Sequence, residues 1–240
     1  MKIALIGYGK MGHMIEETAL SRGHSIVLKI HIGNTEELTE ENLRRADVAI
    51  EFTGPDSAFA NVMRCLDWGV PVVSGSTGWN DSLPEAKERC WEKKGSFLHA
   101  SNFSIGVNIF FEINRQLAKL MNSQPSYDVF MKEIHHTEKK DAPSGTAVTL
   151  AEQIISQLDR KTSWVNGPAK DPQKISIISE RTDPAPGTHM VQYTSEVDDI
   201  EIIHTAHNRK GFALGAILAA EYIAGKKGVF SMKDVLAIGQ

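Results

Sequence analysis

Cysteine is scarce in this chain, which has only Cys65 and Cys90 among its 240 residues. Two cysteines cannot supply the disulfide framework of a small secreted protein, so the default setting is a reduced cytoplasm. Apolar runs of ~18 residues, the length that a transmembrane helix needs, are absent as well. The apolar part of the opening segment, MKIALIGYGK, is too short for a signal peptide. We therefore expect a cytoplasmic protein without a membrane partner.

An excess of basic residues is also missing. The chain has 26 Lys and Arg residues against 30 Asp and Glu residues, a formal net charge of −4. Proteins that bind nucleic acids usually carry a basic surface, so this balance argues against a nucleic-acid partner. Hydrophobic residues make up 41% and charged residues 23% of the chain, an ordinary globular balance with room for one or two domains.

Strand and helix patterns alternate through the first hundred residues, which is typical of a parallel sheet covered by helices. After Asn102 the pattern becomes that of a mixed α+β domain. The predicted strands are residues 2–6, 25–30, 47–53, 70–76, 96–101, 127–136, 174–180, 189–197 and 199–207. The predicted helices are residues 11–22, about 57–69, 83–93, about 106–121, about 145–158 and a final helix at 211–225, with loops at 160–172 and 181–188.

The fold class that these patterns predict is α/β, with a Rossmann-type parallel sheet domain followed by a mixed α+β domain. We place the first domain at residues 1–104 and 210–240 and the second at residues 105–209. No linker rich in Gly, Ser or Pro separates the halves, so we expect two domains that meet at short hinges with a cleft between them.

A G-x-G-x-x-G motif, formed by Gly7, Gly9 and Gly12, comes directly after the first predicted strand and opens a helix. This context suits a dinucleotide, because the glycines permit a tight turn, close approach of the pyrophosphate and close packing of helix on strand. The helix N-terminus attracts the phosphates. We therefore predict a nicotinamide cofactor, and a glycine-rich turn without a ligand is the alternative.

The acidic residue that usually binds the ribose hydroxyls is missing from the end of the second strand. Lys29 or His31 stands there, and no carboxylate follows until Glu36. A basic side chain suits a 2′-phosphate, which favours NADPH over NADH or the use of both. Two loops, FTGP at 52–55 and SGSTGW at 74–79, follow later strands at the same sheet edge and predict nicotinamide contacts, with plain turns as the alternative.

The segment EIHHTEKKDAPSGTA, residues 133–147, brings together more residues that could transfer protons or bind anions than any other stretch of the chain. Strand alternation sends His135 and His136 to opposite faces, so one could donate protons while the other orients it or contacts substrate. Asp141 or Ser144 could cap the next helix, whose N-terminus beside Lys139 would bind an anion. Adjacent strand histidines splay apart, so no metal site is predicted. An exposed turn before an ordinary helix is the bland alternative.

Together these segments resemble the dihydrodipicolinate reductase family of bacterial lysine biosynthesis. The resemblance extends over essentially the whole chain, and its H-H-x-x-K-x-D-A-P-S-G-T block is far more selective than the glycine motif. The segments that carry it are IGYGKMG, EFTGP, SGSTGW, SNFSIGVN, HHTEKKDAPSGTA and GVFSMKDVL.

The resemblance implies roles for individual residues. Catalysis would fall to His135 and Lys139. Substrate contacts would come from His136, Ser144, Gly145, Thr146 and Thr77. Cofactor contacts would come from Gly7, Gly9, Lys10, Met11, Gly12, His31, Phe52, Thr53, Gly75, Ser76, Thr77, Ser101, Asn102, Phe103 and, at the return hinge, Arg209.

The implied reaction is the NAD(P)H-dependent reduction of 4-hydroxy-tetrahydrodipicolinate, a small dicarboxylate, to tetrahydrodipicolinate. Water leaves on or before the enzyme, hydride adds to ring C4, and His135 or Lys139 supplies a proton. The resemblance also implies a homotetramer in which the second domain binds substrate and supplies the interface. Two positions depart from the family: His31 replaces an acidic residue that many members carry, and Asp183 stands where glycine is frequent. Another two-domain nicotinamide oxidoreductase and a dinucleotide-binding redox sensor are the rival interpretations.

Overall fold

The computed structural model describes residues 1–239, which form two compact units. One unit is Met1–Ile105 with the chain from Lys210 onwards, and the other is Gly106–Arg209. The strands are β1 (Lys2–Ile6), β2 (Ser25–Ile30), β3 (Val48–Glu51), β4 (Val72–Ser74), β5 (Ser96–His99), β6 (Asp128–His135), β7 (Ser163–Asn166), β8 (Lys174–Arg181), β9 (Thr188–Thr194), β10 (Asp199–Thr205) and β11 (Gly228–Phe230). The helices are α1 (Lys10–Ser21), α2 (Glu40–Leu43), α3 (Pro55–Asp67), α4 (Leu83–Glu92), α5 (Ile105–Met121), α6 (Gly145–Ile155), α7 (Lys210–Ile223) and α8 (Met232–Val235).

A six-stranded parallel sheet forms the centre of the first unit, in the order β11-β5-β4-β3-β1-β2. The chain passes from β1 outwards to β2 and then crosses to β3 on the other side of β1. The carboxyl ends of β1 and β3 therefore flank the point where the strand order reverses, which is where ligands bind in doubly wound sheets.

Apolar side chains cover both faces of this sheet, as is usual for parallel strands between two layers of helices. Ala4 and Ile6 of β1 belong to a cluster with side chains of α3 and α4, whereas Ile3 and Leu5 belong to a cluster with α1 and α7. All four side chains are at most 1% exposed. This burial on two sides fixes the ends of the strands, and with them the loops that follow.

The second unit contains a five-stranded mixed sheet in the order β10-β9-β6-β8-β7. Its central strand β6 pairs in parallel with β8 and antiparallel with β9. Burial alternates along β6, so Val129 and Met131 are followed on the buried face by Glu133 and His135. That face, which α5 and α6 cover, is thus apolar where β6 begins and polar where it ends.

The predicted Rossmann-type parallel sheet and the mixed sheet after it are confirmed. The loop predicted at 160–172 is wrong, because it contains the edge strand β7, whose four residues are too few to show an alternating pattern. The chain also does not end in the helix predicted at 211–225, since α7 is followed by β11, which pairs with β5, and by α8. Among residues 1–239, no helix combines the length and the apolar content that crossing a membrane requires.

Candidate functional site

The turn from β1 into α1 has the backbone geometry that a dinucleotide-binding motif needs. Gly7 has a φ of +101°, and a side chain there would collide with the backbone carbonyl of Phe52. A side chain at Gly12 would collide with the carbonyl of Gly7. Around Gly9, by contrast, no atom outside the local chain lies within 4 Å of the place that a Cβ would take, among residues 1–239. The space beside Gly9 and the N-terminus of α1, which begins at Lys10, can therefore receive phosphate groups.

The basic side chains at the end of β2 already have partners. Lys29 Nζ lies 2.6 Å from Glu16 Oε1, and Tyr8 hydrogen-bonds to the same carboxylate. The hydrogen bond to Glu16 raises the pKa of Lys29. His31 Nδ1 accepts a hydrogen bond from the Gly33 amide at 3.0 Å. Because Glu16 neutralises Lys29, the attraction of this region for a 2′-phosphate is weaker than the sequence alone suggests.

Glu51, the last residue of β3, ties together the loops that follow β3 and β4. Its buried carboxylate accepts hydrogen bonds from the hydroxyls of Ser74 at 2.6 Å and Ser76 at 2.8 Å. It also accepts one from the Thr53 amide at 2.9 Å and one from the Thr53 hydroxyl. The two predicted nicotinamide loops are thus held to each other by a single carboxylate.

Packing around Phe52 gives two of the predicted residues a structural reason. A side chain on Gly75 would collide with the ring of Phe52, whose centroid lies 5.5 Å from that of Phe103. Phe103 is itself buried, so it supports the loop rather than facing solvent. Of the other predicted residues in the loops at the sheet edge, Ser76 is buried, and those at least partly exposed are Thr53, Thr77, Ser101 and Asn102.

Four polar side chains meet at the end of β6 in the second unit. In the strand register Glu133 lies opposite His189 of β9, and His135 lies opposite Arg181 of β8. Paired residues point to the same face of a sheet, which brings all four together. Glu133 is fully buried, and His135 and His189 are nearly so.

The N-terminus of α6 joins this cluster through Ser144. The Ser144 hydroxyl caps the helix by accepting a hydrogen bond from the Ala147 amide at 3.2 Å, which settles the cap between Asp141 and Ser144. Its oxygen lies 3.1 Å from His189 Nε2. The backbone N–H of Ser144 donates to both carboxylate oxygens of Glu133, at 3.1 Å each. Strand, neighbouring strand and helix therefore converge on one carboxylate.

Burial and charge set the protonation of the cluster. Burial lowers the pKa of His135, which Glu133 opposes, and burial lowers the pKa of His189 to about 3. Burial would raise the pKa of Glu133, but hydrogen bonds from Ser144 and Arg181 hold it below its ordinary value. At neutral pH the cluster thus contains a carboxylate, a guanidinium and two neutral imidazoles.

Lys139 lies in the turn between β6 and α6. Its ammonium group is 2.8 and 2.9 Å from the two carboxylate oxygens of Asp141. Burial would raise the pKa of Asp141, but the hydrogen bond from Lys139 lowers it. Arg181 holds the same turn by donating to the backbone carbonyl of Asp141 at 2.6 Å. The predicted catalytic lysine is therefore a charged group in an ordered turn.

Asp183, a departure from the family pattern, makes a specific contact. Its carboxylate accepts hydrogen bonds from the Thr137 amide at 3.1 Å and from the Thr137 hydroxyl at 2.5 Å, and these bonds lower the pKa of Asp183. Thr137 follows His136, which is the first residue after β6. Asp183 thus fastens the segment after the histidine pair to the loop between β8 and β9.

Glu133, His135 and His189 also bring three candidate metal-ligand atoms within 4.8 Å of one another. Both oxygens of Glu133 already accept from Ser144, and the Arg181 guanidinium lies 3.1 Å from one of them. A fixed cation beside an occupied carboxylate opposes a second cation. The donor set therefore does not fit a resident metal ion, and the expectation of no metal site stays a prediction.

Family models match almost the whole chain. The model described as dihydrodipicolinate reductase, N-terminus, matches residues 1–103, and the one described as dihydrodipicolinate reductase, C-terminus, matches residues 106–236. The chain belongs to the dihydrodipicolinate reductase family. The predicted family is thereby confirmed, together with the expected class of enzyme, an oxidoreductase that uses NAD(P)H.

The chain is also similar in sequence and in fold to individual members of the dihydrodipicolinate reductase family. The chain is 48% identical over 239 residues to the 4-hydroxy-tetrahydrodipicolinate reductase of Christiangramia forsetii, covering 99% of this chain and 98% of that protein. It is 33% identical over 231 residues to the enzyme of the same name from Neisseria meningitidis serogroup B, covering 93% and 84%. The dipicolinate-bound dihydrodipicolinate reductase from Paenisporosarcina sp. TG-14 has the same fold, with a TM-score of 0.76, 24% identity and 98% coverage of each chain.

The predicted site residues fall into two groups. Those at the sheet edge of the first unit are Gly7, Gly9, Lys10, Met11, Gly12, His31, Phe52, Thr53, Gly75, Ser76, Thr77, Ser101, Asn102 and Phe103. Those at the end of β6 and the start of α6 in the second unit are His135, His136, Lys139, Ser144, Gly145 and Thr146. Arg209 is exposed and is the last residue of the second unit.

Sequence reasoning missed Glu133, Arg181, His189 and Gly187. Glu133 could have been found, because it lies two residues before His135 on the same side of a predicted strand. Arg181 and His189 join the site only through the strand register, and a single sequence does not reveal which strands pair. Gly187 has a φ of +154°, and a Cβ there would lie 3.1 Å from His135 Nε2.

Proposed function

We propose that this chain catalyses the NAD(P)H-dependent reduction of 4-hydroxy-tetrahydrodipicolinate to tetrahydrodipicolinate, in diaminopimelate and lysine biosynthesis. The chain belongs to a family of reductases, and the observation that carries the proposal is the arrangement of side chains at the end of β6. There a nearly buried imidazole at the end of β6 is followed by a charged lysine in the connecting segment and by the capped N-terminus of α6. Such a set can hold an anion and move a proton.

The first unit would hold the cofactor. The turn of Gly7, Gly9 and Gly12 leaves space at the N-terminus of α1 for the pyrophosphate. The loops that Glu51 ties together would border the nicotinamide. NAD(P)H, when bound, supplies the hydride.

The second unit would hold the dicarboxylate. Lys139 would exchange Asp141 for a substrate carboxylate, and the N-terminal turn of α6, with Ser144, Gly145 and Thr146, would attract a negative charge. His136 would add a contact from the other side of the strand end.

A proton would come from His135 or from Lys139. His135 is neutral at neutral pH because burial lowers its pKa. A bound dianionic substrate would raise that pKa, so His135 would take up a proton from solvent and could then donate it. Lys139 already forms an ion pair as an ammonium. General acid help of this kind is worth roughly 10²–10⁴ in rate.

For the cofactor, we propose that both NADPH and NADH serve, with some preference for NADPH. His31 and Lys29 place basic groups where an acid would favour NADH, but Glu16 neutralises Lys29. Measured Kd values for both nucleotides, in the wild type and in His31→Asp, test this. We expect His31→Asp to weaken NADPH relative to NADH, and an unchanged ratio would contradict a role for His31.

We also propose a cytoplasmic homotetramer. Strand β10 lies at an edge of the described sheet and exposes Ile203 by 56%, and helix α5 exposes Leu120 by 69%. Edge strands and exposed apolar side chains are common at interfaces between chains. Both cysteines are free thiols, as in a reducing compartment. Light scattering of the wild type and of Ile203→Asp would show a tetramer that the substitution weakens.

A direct assay tests the activity. Purified protein is mixed with NADPH and freshly prepared condensation product of pyruvate and aspartate semialdehyde, and loss of nicotinamide absorbance is followed. We expect turnover that depends on both substrates and on Lys139. Turnover that persists undiminished in Lys139→Ala, or that fails with this substrate but occurs with another imine or aldehyde, would contradict the proposal.

A further inference from the structure

Glu133 contacts neither ligand in the proposed reaction, yet its carboxylate lies beside His135, the imidazole that would move the proton, and has three further polar groups around it. Its two oxygens accept from the Ser144 amide, and one lies 3.1 Å from Arg181 Nη2. The other oxygen, Oε2, is 3.5 Å from His135 Nδ1 and 3.7 Å from His189 Nε2. The side chain is fully buried, so the groups of the cluster, and not water, decide its interactions.

We infer that Glu133 is a positioning residue: its carboxylate faces Nδ1 of His135 and keeps a proton on that nitrogen, so that Nε2 exchanges the proton with the substrate. This inference rests on the proposed function. Nδ1 is buried and has no hydrogen-bond partner among residues 1–239, and the carboxylate 3.5 Å away is the acceptor that a small rotation would engage. A histidine carries its proton on the nitrogen that faces an acceptor.

The opposite edge of the ring is the one left accessible. A Cβ on Gly187 would lie 3.1 Å from Nε2 and 3.3 Å from Cδ2 of His135. The absence of a side chain at Gly187 therefore keeps the Nε2 edge open, while the Nδ1 edge faces Glu133.

The same carboxylate also aligns the imidazole with the proposed anion site. Ser144 binds Glu133 through the amide at the N-terminus of α6, and Arg181 holds it from β8. Glu133 cannot turn away from His135 without breaking these bonds. One side chain thus fixes the proton donor relative to the helix end that would receive a substrate carboxylate.

The experiment compares Glu133→Gln with Glu180→Gln. The control makes the same change on β8, on the opposite face of the sheet, where Glu180 pairs with Lys132 in a partly exposed ion pair. In the NADPH assay we expect Glu133→Gln to lower kcat by about 10²-fold, the lower end of what general acid catalysis contributes. The Kd for NADPH should not change, and Glu180→Gln should change neither value.

Ring-nitrogen chemical shifts of isotope-labelled His135 provide a readout without substrate. We expect the Nδ1–H form in the wild type and the Nε2–H form in Glu133→Gln, because the Gln oxygen is needed by Ser144 and Arg181 and its NH₂ group then faces Nδ1. His135 should also titrate at lower pH in Glu133→Gln, since Glu133 raises its pKa.

The remaining neighbours of His135 do not change between these proteins. Lys139 and Arg181 lower its pKa, Asp141 raises it, and His189 packs against its ring. Glu133→Asp, which keeps the charge, should recover part of the lost kcat and keep the wild-type form of the ring.

Two results would overturn the inference: wild-type kcat in Glu133→Gln, or a wild-type His135 with its proton on Nε2. If Glu133→Gln does not fold, the tautomers of the wild type and of Glu133→Asp still decide. If the wild type does not turn over the proposed substrate, the proposed function fails, while the tautomer measurement tests Glu133 independently.

Discussion

Each unit of this protein buries a glutamate next to a predicted ligand-binding loop, but the two glutamates have different surroundings. Glu51 in the first unit receives hydrogen bonds from hydroxyls and one backbone amide. Glu133 in the second unit accepts a hydrogen bond from the backbone amide of Ser144 and also faces a guanidinium and two imidazoles. Both side chains are 0% exposed, so burial alone does not separate them.

The chemistry of the donors separates them instead. Hydroxyl and amide donors hold a carboxylate in place without responding to pH, so Glu51 fixes the shape of two loops. Imidazoles change charge between pH values that a cell experiences, and their protonation depends on a nearby carboxylate. A buried glutamate can therefore serve as a clamp in one unit and as an electrostatic partner in the other.

The largest effect should follow from His135→Gln, which removes the imidazole beside Glu133. We expect kcat to fall by roughly 10²–10⁴ if His135 is the general acid. The Kd for NADPH, measured by fluorescence titration, should stay unchanged because the glycine turn belongs to the first unit. His207→Gln, at an exposed histidine of the second unit, is the control. A loss of NADPH affinity with full turnover at saturation would reverse this assignment.

A smaller and different effect should follow from Glu51→Gln in the first unit. The amide loses one acceptor oxygen, so buried hydroxyls lose a partner at a cost of about 1–3 kcal/mol. We expect a lower free energy of unfolding in urea and weaker NADPH binding, with kcat nearly normal at saturation. Normal cofactor affinity with a low kcat would mean that Glu51 resembles Glu133 in function.

Lowering the pH should destabilise the folded protein through the buried imidazole of His189 in the second unit. The pKa of His189 falls from 6.5 to about 3 in the folded protein. Between these pH values the unfolded chain binds a proton that the folded chain does not, so stability is lost as pH falls, by about 1.4 kcal/mol per pH unit for one such group. The free energy of unfolding is measured with urea at several pH values inside this window. It should depend less steeply on pH in His189→Gln than in the wild type or His207→Gln. An equal dependence on pH in all three proteins would show that His189 is protonated in the folded state.

The smallest effect should come from Asp183→Gly, which restores the residue that is frequent in the family. It removes two hydrogen bonds to Thr137 at the surface. We expect a slight fall in Tm, smaller than that of Glu51→Gln, and faster hydrogen exchange of the Thr137 amide. Protection of that amide at the wild-type level would show that Asp183 does not hold this segment.

The local features of both units are readable from the sequence. Gly7 and Gly12 are predicted from their spacing, and each has a close backbone neighbour that leaves no room for a side chain. Ser144 is predicted as one of two caps for α6 and forms the cap. These predictions succeed because strand, turn and helix signals act over a few residues.

The partners of His135 depend on long-range pairing. Arg181 lies 46 positions after His135, and only the parallel register of β6 and β8 places them side by side. Strands β7 and β11 are equally hard to predict, because each is short and is defined by the edge to which it adds. The role of Glu51 also escapes a single sequence, since two of its donors, Ser74 and Ser76, come from another strand and the loop after it.

The interruption of the first unit has a consequence for biosynthesis. The chain leaves this unit after Ile105 and returns to it at Lys210 with α7, which supplies much of the cluster on one face of the sheet. On the ribosome the N-terminal strands therefore emerge without α7 on one of their faces, and this face stays incomplete until the whole inserted unit has been translated. The inserted unit is contiguous and can complete its own core first. The nascent N-terminal segment is thus the part of the polypeptide that most needs chaperone protection during synthesis.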